Sequence, residues 1–366
     1  MRPTLLPTRQ TGAALLSAML TVTLVATFAA AALWQQWRSV EVETAKRARV
    51  QSTWILTGAL DWSRLILRED GRAGGADHLA EPWAVPLNEA RLSAFLAVDK
   101  NASETEREAF LSGQVIDLQG KLNVNNLLEG NSLSATALAS FSRLFELLGL
   151  PKEQLLTLAS SLLEAVRDPT PPGTGANPNP NPNATPALTG AVPAASAASA
   201  PAATGTTPTP VTAPVTTALS PLMPERVEQL AWLGLPRETL AVLMPYITLL
   251  PQRTAVNLNT ASVEVIYAST PGLDMANAQR LVAARDRKHF STLAEANQQL
   301  GGTEGKFSDA QHAVATRFFE VTGQLRLDQT LVQERSVLQR DGLQVRTLWR
   351  ERGVVISPPP ATGGRP

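Results

Sequence analysis

The sequence predicts an α+β protein: a long N-terminal helix packed on a small antiparallel sheet, with a large α-helical domain inserted. Three observations predict it. The run Ala13 to Leu33 carries no charge and is long enough for one continuous helix. Near the other end, Phe319, Val321, Gly323, Leu325 and Leu327 alternate with Glu320, Thr322, Gln324, Arg326 and Asp328. That is the period of a strand with one buried and one wet face. Between them lies a helix-rich region in which a Leu-Gly-Leu-Pro corner occurs twice, at 148–151 and 233–236.

Composition limits the function classes. The 366 residues include 32 basic and 32 acidic ones and no cysteine. A balanced charge argues against a large basic surface for nucleic acid. Without cysteine there is neither a disulfide framework nor a thiolate zinc site. The three histidines, His78, His289 and His312, lack metal-ligand spacing and are expected to pack or face solvent.

The apolar run of about 21 residues spans a hydrocarbon core of roughly 30 Å as a helix. Trp34 and Trp37 fall where that helix should leave the apolar layer. Arg2 and Arg9, with no acid before the run, predict a cytoplasmic N-terminus and an exported remainder. Three processing schemes remain at this point: a signal cleaved near Ala29 to Ala32, an uncleaved anchor, or cleavage after Gly12 that leaves Ala13 first. The helix is expected to continue to about Leu67, roughly 80 Å in all. Ile55, Ala59, Trp62 and Ile66 form its apolar stripe, opposite Arg47, Gln51 and Arg64. Gly71, Gly74 and Gly75 end it. Residues 81–87 read as extended loop around Pro82 and Pro86. A strand is expected within 110–124, with Gly120 as a turn.

In each Leu-Gly-Leu-Pro corner, Gly takes the left-handed position that ends a helix and Pro opens the next. Residues 169–224 carry no charge and almost no large apolar residue; they are expected to be disordered, an excursion from the helical domain. Residues 256–300 read as a helix-hairpin-helix-like unit. Thr260 or Ser262 caps the first helix, Asp274 the second, and Thr292 with Glu295 opens a third. The turn is Gly272-Leu273-Asp274, whose acid would repel a phosphate, although Arg280, Arg285, Arg287 and Lys288 lie nearby. The C-terminal part is three strands, with an Asp341-Gly342 hairpin signal.

Several phrases resemble the type II secretion system minor pseudopilin K family: Asp61-Trp62-Ser63-Arg64-Leu65, Glu81-Pro82-Trp83, Lys121-Leu122-Asn123-Val124-Asn125-Asn126-Leu127, Val256-Asn257-Leu258-Asn259-Thr260-Ala261-Ser262 and Phe318-Phe319-Glu320-Val321. Gly12 before an apolar helix likewise resembles the processing site of pilins and pseudopilins. The resemblance implies a pilin-like fold. Its parts would be a cleaved leader (1–12), a transmembrane and assembly helix (13–36), and a pilin-like domain in two pieces (37–130 and 301–353). The inserted helical domain (131–300) is interrupted at 169–224, and a disordered tail (354–366) follows. It implies cleavage between Gly12 and Ala13 by the prepilin peptidase and N-methylation of Ala13. It also implies a place at the pseudopilus tip with minor pseudopilins I, J and H and the major pseudopilin G. The expected location is the inner membrane of a Gram-negative bacterium, single-pass, with the bulk in the periplasm. Most pseudopilins carry Glu at the fifth mature position; Ser17 stands there, as is characteristic of the K members. A tip subunit has no neighbour above it whose amine would pair an acid.

Relatives often carry an acidic run suited to calcium after the first corner. Here the place reads Leu162 to Pro169, with only Glu164 and Asp168 around Arg167, a poor cage. No cofactor is expected apart from calcium by family, and no metal ligands are assigned. No paired-carboxylate, Ser-His-Asp or phosphate-loop arrangement is present, so no enzyme is expected. The alternative function is a membrane-anchored helix-hairpin-helix DNA-binding protein of the competence-receptor kind.

Overall fold

The computed structural model describes residues 13–91, 109–167, 221–300, 307–327 and 330–354. The leader, the low-complexity stretch through residue 220 and the tail from 355 lie outside them. The chain divides into two compact units, Met1–Leu122 with Thr254–Pro366, and Asn123–Arg253. Residues 254–300, expected within the insertion, therefore group with the sheet.

Helix α1 runs Ala13–Ala73, 61 residues or about 90 Å. It passes Gly71 and stops at Gly74 and Gly75, both left-handed at φ +65° and +114°. Five strands form the main sheet: β1 (Leu87–Arg91), β2 (Ala109–Asp117), β3 (Phe318–Leu327), β4 (Thr330–Asp341) and β5 (Gln344–Val354). They lie side by side in chain order, every pair antiparallel. Asp117 at the end of β2 pairs with Phe319 at the start of β3, so the chain leaves and re-enters the sheet at one place. The expected alternation holds: Phe319, Val321, Leu325 and Leu327 are buried while Thr322, Gln324 and Arg326 are less so. The β4–β5 hairpin closes at Asp341 and Gln344, with Gly342 at φ +60°.

Helix α1 buries Ser52, Leu56, Leu60 and Leu67. Leu60 and Leu67 pack with Trp83, Phe319, Val321 and Leu338; Leu56 packs with Leu111, Leu325, Leu327 and Val332. This corrects the expected stripe by one residue of rotation. Ile55, Ala59 and Ile66 only flank the core, and Trp62 is 63 % exposed. Positions 55–59–66 and 56–60–67 lie about 100° apart, and both are apolar, so periodicity alone does not separate them. Arg64, expected opposite the stripe, is partly covered and donates to Thr347 Oγ1 at 2.9 Å. Residues 82–84, expected extended, make one 3-10 turn with Pro82 at its start and Trp83 buried.

Polar contacts fix the helix on the sheet at several heights. Glu334 of β4 is buried and accepts from Arg350 at 2.5 Å and from Arg352. The same two arginines reach back to α1, donating to Thr57 Oγ1 at 2.8 Å and Thr53 Oγ1 at 2.6 Å. At the top, a Cβ on Gly71 would lie 2.8 Å from the carbonyl oxygen of Gly342. Gly71 is thus what lets the hairpin turn approach the helix. We expect Gly71→Ala to lower the melting temperature, although Ala is favoured over Gly by about 1 kcal/mol in a free helix. Thermal unfolding followed by circular dichroism checks this; a stabilised variant would show that the turn is free to move.

In the second unit, α2 (Ala135–Leu147) and α3 (Lys152–Arg167) meet at the first Leu-Gly-Leu-Pro corner. Gly149 is left-handed at φ +67°, and Leu150 N–H donates to Phe145 O at 2.8 Å, closing the end of α2. The second corner does the same between a 3-10 turn (Val227–Leu233) and α4 (Arg237–Leu243), with Gly234 at φ +88°.

Candidate functional site

The first half of α1 is the largest uncovered feature. Every residue from Ala13 to Arg47 is exposed, including Leu16, Met19, Leu20, Phe28 and Leu33. Among the described residues this is the one helix long and apolar enough to cross a membrane. Its polar side chains are satisfied within the helix: Ser17 Oγ donates to Ala14 O at 2.9 Å, and Thr21, Thr23 and Thr27 bond back in the same way. A hydroxyl folded onto its own backbone can enter lipid at small cost, whereas an unpaired carboxylate cannot. Trp34 and Trp37 lie 5.5 Å apart at the far end of the run. Ala13 is the first helical residue; Gly12 lies outside the described residues.

Further along, α1 turns Trp54 (72 % exposed) and Trp62 outward on the face away from the sheet. Between them, Gly58 has open space where a side chain would stand. Two indoles two turns apart, flanking a bare glycine, offer a groove for another helix.

A buried hydrogen-bond knot lies where the chain leaves and re-enters the sheet. Asp117 is buried, and its carboxylate accepts from Thr260 Oγ1 (2.6 Å), Thr316 Oγ1 (2.6 Å), Asn257 Nδ2 (2.9 Å) and Gln119 N–H (2.7 Å). Burial pushes its pKa up, and those four donors oppose the shift. Asn257 also donates to Asp77 O at 3.1 Å, and Asp77 accepts from Thr316 N–H at 2.6 Å. Asn259 accepts from Phe290 N–H and donates to Phe290 O. The small polar residues of Val256 to Ser262 are therefore structural ties. Of the two expected caps, Ser262 caps α5 (Val263–Ser269), whereas Thr260 is bonded to Asp117.

The helix pair α5 and α6 (Met275–Arg287) has the expected turn, with Gly272 at φ +76°. Asp274 accepts from Asn277 N–H at 2.6 Å, so its carboxylate occupies the helix end where a phosphate would bind. Arg285, expected to add basic character, is buried and donates to Leu258 O and Ala261 O. The basic surface shrinks to Arg280, Arg287 and Lys288. Helix α7 (Leu293–Gln298) is capped by Thr292, and Glu295 accepts from Ser291 N–H, as the sequence leads one to expect.

For calcium, the described part of 162–169 offers one carboxylate, Glu164, on the exposed side of α3, while Leu162 and Ala165 are buried. That set does not fit a calcium cage, which takes six or more oxygens. The one convergence of three carboxylates among the described residues is Asp70, Asp77 and Glu81, with ligand oxygens within 4.8 Å of one another. Arg340 supplies the cation there, pairing with Asp70 and, at 2.5 Å, with Asp77.

Residues 120–252 and 256–316 each match the family described as type II secretion system, protein K. The chain belongs to that family. A type II secretion system protein K from Pseudomonas aeruginosa is 27 % identical over 369 residues, covering 97 % of this chain and 96 % of the relative. Among solved structures, one from a GspK–GspI–GspJ complex of enterotoxigenic Escherichia coli matches with a TM-score of 0.51 at 14 % identity. It covers 84 % of this chain and 98 % of its own. The protein is therefore a pseudopilin of type II secretion with the K fold, a structural component of that system. The DNA-receptor alternative is not favoured, in keeping with the capped turn and the buried Arg285.

His312 is buried, with Thr270 Oγ1 at 3.1 Å and Ser269 Oγ at 3.2 Å from Nε2. Burial lowers its pKa from 6.5 to about 4. The stability it contributes is fully present above pH 6.5 and is lost as pH falls through 4, up to about 3 kcal/mol. We expect His312→Asn to flatten the acid limb of the stability curve between pH 6.5 and 4, measured by urea unfolding. An unchanged slope would assign that limb to other groups.

Proposed function

We propose that this protein works at the tip of the periplasmic pseudopilus, where it initiates or caps assembly with the minor pseudopilins I, J and H above the major pseudopilin G. The observation that carries this reading is the uncovered helix. The chain leaves Ala13 to Arg47 uncovered, and the apolar part of that surface, Ala13 to Leu33, needs lipid before assembly and neighbouring helices after it. Ser17 adds a direction: without an acid at the fifth mature position, the subunit does not require an amine above it. The solved relative in complex with GspI and GspJ supports a shared assembly. On this reading the N-terminus faces the cytoplasm, the prepilin peptidase cuts between Gly12 and Ala13, and Ala13 is N-methylated.

Intact mass and N-terminal sequencing of the protein from membranes are expected to give a chain beginning at methylated Ala13. Gly12→Val should leave the leader in place. A start near Leu33 would mark an ordinary signal peptide and sink the tip assignment.

The outward indoles test the assembly half of the reading. We expect Trp54→Glu with Trp62→Glu to reduce co-purification with pseudopilins I and J by tenfold or more, without lowering the melting temperature. These side chains touch solvent in the single chain, so a loss of stability would mean instead that they hold this fold. Undiminished co-purification would place the contact on another face.

A further inference from the structure

The loop after α1 carries a group that no assembly role accounts for. Glu81 Oε2 accepts from Trp83 Nε1 at 2.6 Å and from His78 N–H at 3.0 Å. Trp83 is 2 % exposed and meets Phe319 edge-on at 5.2 Å, so this carboxyl fastens the loop to the core. The His78 ring stacks on His289 with centroids 3.7 Å apart. A cavity of about 420 Å³ opens beside it, lined by Asp70, Asp77, Glu81, Thr316, Arg317 and Arg340.

Charge at this place does not balance. Three carboxylates share one near guanidinium: Arg340 contacts Asp70 and Asp77, while Glu81 has two neutral donors and the His78 ring, whose Nε2 lies 4.0 Å from its Oε1. Like charges this close cannot all be held at small cost. The groups facing Glu81 are Asp70 from α1, Asp77 and His78 from its own loop, His289 beyond α6, and Arg340 from β4, with Arg317 and Asp341 at the cavity rim. We propose that Glu81 is a proton-controlled latch: protonated, it holds the loop of residues 74–86 on the core; losing its proton to solvent loosens that loop. Burial raises its pKa to about 7 against the opposing His78 N–H and Trp83 Nε1 donors, which favour the ionised form, and Asp70 and Asp77 add to the rise. The sign follows from linkage: closure is strongest below the open-state value of 4.5 and is lost as pH rises through 7. His78 acts in the opposite sense, because burial and the neighbouring His289 hold it below its ordinary value.

Hydrogen exchange of the full-length protein in detergent micelles, read by mass spectrometry on peptides covering 74–86, tests the latch. With rates corrected for intrinsic exchange, opening in the wild type should rise on the order of tenfold from pH 6 to 7.5 and then level off. Glu81→Gln keeps an acceptor oxygen and should stay flat. A flat wild-type profile, or a Glu81→Gln profile rising in parallel, overturns the proposal. His289→Asn should keep the rise, because the stacked ring opposes it; a rise that vanishes there shows that Glu81 does not set the pH response, and the latch falls.

Discussion

The sheet-bearing unit depends on the carboxylate of Asp117. The chain leaves the sheet there and returns at Phe318, 201 residues later. Four donors from Gln119, Asn257, Thr260 and Thr316 converge on that one group. A buried carboxylate without such donors would be prohibitive; with them it becomes a directional tie that an apolar cluster cannot provide. Once the two ends of an excursion are tied, added length costs little, about 0.6 kcal/mol per doubling. That asymmetry accounts for an uncharged, Pro-rich stretch being accepted between the two Leu-Gly-Leu-Pro corners.

Much of this was legible in the sequence. The uncharged run, the alternation from Phe319 to Leu327, the Asp341-Gly342 hairpin and both corners depend on local rules, and each appears where it was expected. Local rules failed where the deciding partner is distant in sequence. Nothing in residues 52–67 says which of two neighbouring stripes meets Phe319 and Leu325. Arg285 read as surface charge because its carbonyl partners, Leu258 and Ala261, lie a helix away. Thr260 read as a cap because Asp117, 143 residues earlier, could not be seen. One signal was available: Asn257 and Asn259 alternate with Val256 and Leu258 in a stretch too short to be a wet-faced strand, which marks polar groups headed for burial.

The helix joins two solvents. Below Trp37 its surface suits lipid, and its hydroxyls are folded onto their own backbone. Above Ser52 one face is covered by the sheet while Trp54 and Trp62 look away from it. The same element therefore serves as anchor and as core, and substitutions in its two halves should separate cleanly into effects on insertion and effects on folding.

Between those halves lie residues 38–51, which belong neither to the apolar run nor to the part of the helix packed on the sheet. At 1.5 Å per residue they put about 20 Å of helix between the two. Gly71 under the hairpin turn and the arginines joined to Thr53 and Thr57 keep the helix from rolling or sliding on the sheet. The length of helix between the apolar run and the sheet is thus set by the sequence, and it is the arm through which a tilt of the run would reach the sheet.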